Sequence, residues 1–102
     1  MNRREVKVLD CAISDLREAI NFYKQQDEAL GNYFLDSLSV DLESLTFYSG
    51  IHSKHFGFYR MLSKRFPFAI YYGLKNDLVL VAAVLDMRRN PAWNRNRLRR
   101  RR

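Results

Sequence analysis

Acidic residues are missing from two long stretches of this sequence. No Asp or Glu occurs from residue 44 to residue 76, and none follows Asp86. Cysteine is almost absent. Cys11 stands alone, so it has no partner for an internal disulfide and no companion for a thiolate metal set. No apolar run approaches the roughly 20 residues that a membrane span needs. Met1-Asn2-Arg3-Arg4-Glu5 lacks the apolar core of a signal peptide. These absences lead to the expectation of a cytoplasmic protein that makes no membrane contact.

What is present is enough for a core. The chain has 102 residues, of which 47% are hydrophobic and 14% aromatic. That suits one folded domain over residues 1–102 and argues against disorder. The net charge of +7 is unevenly placed. Residues 1–43 hold five bases and nine acids, and residues 44–76 hold five bases and no acid. Residues 88–102 hold eight arginines and no acid. A chain that is acidic first and basic last meets a polyanion through its second half, unless the arginines form only a solvated tail.

Periodicity gives the elements. Residues 4–9 alternate, with Val6 and Val8 on one face, as in a short strand near a sheet edge. Asp10 stands where an N-cap belongs. Ile13, Leu16, Ile20 and Tyr23 then mark the apolar face of a helix over 11–26, widened by Ala12, Ala19 and Phe22, with Asp15, Arg17, Glu18 and Lys24 facing solvent. A second helix over 28–48 carries Leu30, Phe34, Leu38, Leu42 and Leu45 on its stripe. So short a break makes the two helices an antiparallel hairpin.

Residues 49–57 read as loop. They hold both histidines, His52 and His55. The His-x-x-His spacing invites a metal, but no Cys, Asp or Glu in the loop completes a site. The plainer reading is two polar loop residues, and neither a metal nor a cofactor is expected. Strands follow at 58–64, 66–74 and 78–87, the last two joined by Lys75-Asn76-Asp77 as a hairpin turn. Pro91 ends the last extension and Trp93 packs back on the body. Residues 90–102 then leave as a basic C-terminal tail. The order β-α-α-β-β-β is an α+β fold, a helical hairpin packed on a small, mainly antiparallel sheet.

Four stretches carry a family resemblance. They are Asp15–Tyr23, Phe34-Leu35-Asp36, Arg65-Phe66-Pro67-Phe68-Ala69-Ile70-Tyr71-Tyr72, and Val81–Pro91 together with Trp93. On these residues the chain resembles the RelE/ParE superfamily of toxins from bacterial type II toxin–antitoxin modules, and looks closest to the ParE-like branch. The resemblance spans about residues 5–95. It implies the same β-α-α-β-β-β fold, growth inhibition, a role in plasmid stabilisation and a small cognate antitoxin. Operator DNA would be met indirectly, through that antitoxin. Many relatives have His near Asp86, so a role resting on that His does not carry over.

The superfamily offers two targets. RelE-like members cleave mRNA on the ribosome. Such cleavage needs a base, an acid and charge stabilisation at the phosphorus. Arg60, Lys64, Arg65 and Arg88 would supply the cationic part here. No tyrosine follows Tyr72 and arginine stays charged, so Lys64 or the histidines would have to serve as acid and base. ParE-like members poison DNA gyrase, which requires a binding surface and no catalytic set. Arg88, Arg89, Trp93, Arg95 and Arg97 are the candidate target-binding residues, of types that dominate binding hot spots. A third reading is an inactive homologue that only binds its antitoxin. In every reading the antitoxin would occupy a groove between the helical hairpin and the sheet, masking the arginines of 60–65 and 88–89.

Overall fold

The computed structural model describes residues 3–102. Its elements run β1 (Glu5–Val8), α1 (Asp10–Gln26), α2 (Glu28–Tyr48), β2 (Lys54–His55), β3 (Phe58–Leu62), β4 (Phe68–Lys75), β5 (Leu78–Asp86) and α3 (Pro91–Arg101). The five strands form one sheet in the order β1-β5-β4-β3-β2. Only the β1–β5 pair is parallel; the others are antiparallel hairpin neighbours. The α+β architecture and the order of the first two helices and the main strands match the sequence reading. No helix among the described residues is long and apolar enough to cross a membrane.

The hairpin α1–α2 covers one face of the sheet. Phe34, Leu38 and Leu45 of α2 are fully buried against Ile70 and Tyr72 of β4 and Val79 and Val81 of β5. On α1 the buried line is Ala12, Asp15, Ala19 and Tyr23. Ile13, Leu16 and Ile20 lie only partly buried beside it. The closest approach thus runs along the alanine side of the expected stripe, where the side chains are small. Gly31 lets α2 pack tightly on α1, since a Cβ there would collide with the Lys24 side chain.

Asp10 does not cap α1. Leu9 is the N-cap residue and Asp10 is the first helical residue, where its charge still favours the helix N-terminus. The cap that forms is Asp27 on α2, which accepts from the Ala29 N–H at 2.8 Å. The loop after α2 is not wholly irregular. Lys54 and His55 pair with β3 through a tight turn whose central residues, Phe56 and Gly57, both have positive φ.

The largest departure is at the C-terminus. Residues 90–102 do not trail off as a tail. Asn90 caps a helix by accepting from Ala92 N–H at 2.8 Å, and Pro91 takes the first helical position. That helix, α3, lies on the second face of the sheet. Leu98 is fully buried there among Phe58, Ala69, Tyr71, Ala82, Ala83 and Leu85, with Trp93 packed beside it. Both faces of β4 and β5 are covered, which is why these strands read as nearly continuous apolar runs.

A β-bulge sets up the edge that α3 closes. Tyr71 pairs with Ala83 but Tyr72 pairs with Val81, so Ala82 is the extra residue in β5. β1 stops at Val8, opposite Val81, and leaves the rest of that edge of β5 without a strand. Side chains satisfy it instead. Ala82 C=O accepts from Arg101 and from the Cys11 thiol, Val84 N–H donates to Asp15, and Asp86 C=O accepts from Asn94. An edge paired this way offers no template for another strand.

Candidate functional site

Asp15 is the joint between the two layers. Its side chain is only 3% exposed. One oxygen accepts the Val84 N–H at 3.0 Å, and the carboxylate takes both terminal nitrogens of Arg101, Nη2 at 3.0 Å. Arg97 approaches more loosely at 3.4 Å. The bond to Asp15 pushes the Arg101 guanidinium further toward its charged form, against the opposing effect of burial. The expectation that Asp15 faces solvent is therefore wrong. The signal for its burial was present, because Asp15 falls three and four residues from Ala12 and Ala19.

Beside this joint lies a groove of about 210 Å³ between α1, the open edge of β5 and α3. Ala19, Phe22, Phe68, Val84 and Leu85 supply apolar surface. Arg89, Trp93 and Arg97 form one wall, and Glu18 and Asp86 add carboxylates to the rim. The three wall residues fall four apart, and both guanidiniums stack on the indole, Arg89 at 4.1 Å and Arg97 at 4.2 Å from the ring centroid. Arg89 makes a long ion pair with Glu18 at 3.9 Å and also lies in the field of Asp86. The groove expected between the hairpin and the sheet survives only at the margins. One margin lies between α1 and the β5 edge, the other between α2 and β1, where Val6, Val8, Leu42 and Thr46 line a second opening. The rest of that space is filled by the Phe34–Ile70–Val81 core, and the groove beside Asp15 lies on the α3 side of α1.

The cations proposed for RNA cleavage are spread out. Arg60 sits in mid β3 on the α3 face, while Lys64 and Arg65 are exposed in the β3–β4 turn. Arg88 is clamped on Asp86 through Nε at 3.0 Å and Nη2 at 2.9 Å. Burial works to raise the Asp86 carboxyl, but the bonds from Arg88 outweigh it and hold the group below its ordinary value. Arg88 Nη2 also donates to the Tyr23 hydroxyl at 3.2 Å. Tyr23 thus sets a phenol beside Arg88, and nothing in its helical spacing announces that contact. It lies buried among Phe22, Phe34, Phe66 and Phe68.

The histidines go to different partners. His52 Nδ1 is 2.6 Å from the Tyr72 hydroxyl, which also accepts from Gly50 N–H. Burial raises the Tyr72 phenol and lowers the His52 imidazole, which favours a protonated phenol hydrogen-bonded to a neutral ring. His55 Nε2 meets Ser53 Oγ at 3.1 Å on the edge strand. Among the described residues no three His, Cys, Asp or Glu side chains gather as a metal site.

Compared with known structures, the chain is similar to a chain of the chromosomal ParDE TA system from P. aeruginosa. The TM-score is 0.72 at 15% sequence identity, covering 80% of this chain and 94% of that one. No protein-family model matches the sequence, and no curated protein does. The likeness is one of fold, and it bears out the ParE-like α+β architecture that the sequence resembles.

Proposed function

We propose that this chain is the toxin of a type II toxin–antitoxin module and acts as a ParE-like poison of DNA gyrase in the cytoplasm. The fold shared with the ParDE chain supports the toxin reading. The observation that carries the gyrase reading is the Arg89–Trp93–Arg97 ladder on the groove wall. It gathers three of the five candidate target-binding residues into one stacked, partly exposed surface of hot-spot composition. Arg88 stands at the same end of α3, clamped on Asp86, and Arg95 lies on the other flank. No catalytic set is needed.

The cognate antitoxin fits the same groove. An acidic segment that orders on binding would set carboxylates against Arg89 and Arg97 and apolar side chains on Phe22 and Leu85. Toxin and antitoxin surfaces then overlap, which accounts for neutralisation by occlusion.

The test is a supercoiling and cleavage-complex assay with purified gyrase. The chain should trap cleaved DNA, and W93A together with R97Q should lose at least tenfold in potency. An unaffected gyrase would sink the assignment. The RelE-like endonuclease is the second reading, favoured by the Arg88–Tyr23 contact alone. Ribosome-dependent cleavage of mRNA that disappears in Y23F would establish it.

A further inference from the structure

The two flanks of α3 have different chemistry. One carries Arg97 and Arg101 toward Asp15 and the apolar groove. The other carries Arg95, Arg99 and Arg102 at spacings of four and three, so they share a side. All three are exposed. The Arg102 side chain lies over Gly57, whose backbone at φ +88° leaves no Cβ in its way; one would stand 3.0 Å from Arg102 Cδ. That contact ties the end of α3 to the β2–β3 turn. Arg60 lies on the same face of β3, since it alternates with Phe58, which packs against Leu98. Among the described residues no acid pairs with Arg60, Arg95, Arg99 or Arg102.

We infer that this second flank binds the phosphate backbone of duplex DNA directly, without the antitoxin as intermediary. Three observations choose that partner. The outward residues Arg95, Asn96, Arg99 and Arg100 include no apolar side chain, whereas a protein partner is held by buried apolar anchors. The other flank, with Phe22 and Trp93, has that character. On this side the exposed apolar side chains, Leu62 and Phe56, stand off the helix at the end of β3 and in the β2–β3 turn, one at each margin of the arginines. A single-stranded nucleic acid wants a series of exposed rings to stack on, and only Phe56 in the neighbouring turn offers one. What remains is a rigid cationic helix with Arg60 beside it, which meets the requirements of a duplex backbone and fits the width of a B-DNA major groove. The inference goes beyond the gyrase reading and stands without it, since it needs no second protein.

The experiment is fluorescence anisotropy of the full chain with a labelled mixed-sequence DNA duplex across a salt series. The competitors are the matching single strand, an RNA duplex and polyglutamate. Binding at 50 mM salt should weaken linearly in log–log form. R95Q/R99Q/R102Q should weaken it at least tenfold and reduce the slope by about 0.9 for each arginine removed. Trp93 emission, from the one tryptophan, should stay unchanged and so report that α3 remains docked; R95Q/R99Q serves if the triple variant unfolds. R89Q/R97Q on the opposite flank should lose less than the triple variant.

No duplex binding at 50 mM salt overturns the inference. So does tighter binding of the single strand, the RNA duplex or polyglutamate. An equal loss from R89Q/R97Q also overturns it, because net charge and not this flank would then hold the DNA. None of these results touches the gyrase assay, which is read without this surface.

Discussion

Asp15, nearly buried at the margin of the groove, meets two guanidiniums and a strand N–H. A carboxylate held so must keep its partners, because the unpaired charge left behind is costly. D15A should therefore lose about 3–5 kcal/mol of stability, the usual cost of breaking a buried pair. Thermal unfolding would read it, and Trp93 emission should shift red as α3 loosens. A variant as stable as the parent would mean that Arg101 is held by other contacts. His52 makes a second prediction. Its imidazole is lowered from 6.5 by burial, so the folded state binds the proton less well than the unfolded chain. The His52–Tyr72 contribution is present above pH 6.5 and is lost as pH falls through the lower folded value. H52N should flatten the stability profile between neutral and mildly acid pH; an unchanged profile would remove His52 as the cause.

Among the elements, α3 is the one that decides what the molecule presents. It is fastened by Leu98, Trp93, Asn94 and Arg101, and the rest of its surface is arginine and solvent. L98A should cost about 2–5 kcal/mol, as for other buried leucines cut to alanine. It should also unseat the helix, seen as loss of helical circular dichroism together with the Trp93 shift. The β2–β3 turn holds the opposite kind of defect. Phe56 at φ 56° adopts a conformation that side chains other than Asn, Asp and Gly resist. F56N should raise stability by about 1 kcal/mol, measured by denaturant midpoint.

The helical hairpin and the three long strands were legible because their apolar spacing is long and regular. The helix α3 was not, because eight arginines in residues 88–102 drown its two apolar contacts, Trp93 and Leu98. The Asn90-Pro91 pair was the available signal, a cap followed by a residue that suits the first helical turn. The bulge at Ala82 and the side-chain pairing of the β5 edge left no pattern in the sequence, since both depend on where β1 stops. For the site, Arg89, Trp93 and Arg97 were legible by residue type and their four-residue spacing. Their stacking needed the helix, and so did the separation of Arg95 onto the other flank.

For the whole molecule, a deletion from residue 90 is a poor probe of toxicity. It would remove Leu98, expose Tyr71 and Leu85 and strip Asp15 of Arg97 and Arg101. Point changes at Arg89, Trp93 and Arg97 ask the question without opening the core. The same chain joins a groove with an apolar floor to a bare cationic flank, on either side of one helix. A toxin built so would take its antitoxin and its protein target through the groove and keep the outer arginines for phosphate. Antitoxin binding should then weaken only modestly with salt, because apolar contacts share the load, while DNA binding weakens steeply.

The most direct measurement induces the chain alone in bacteria and follows thymidine and methionine incorporation over the first minutes. The gyrase account predicts that DNA synthesis falls first, and that R89Q/W93A/R97Q relieves it. Protein synthesis falling first would contradict the account and point to the ribosome. Growth and both syntheses left intact would contradict it as well, and leave a protein whose work is to bind its antitoxin.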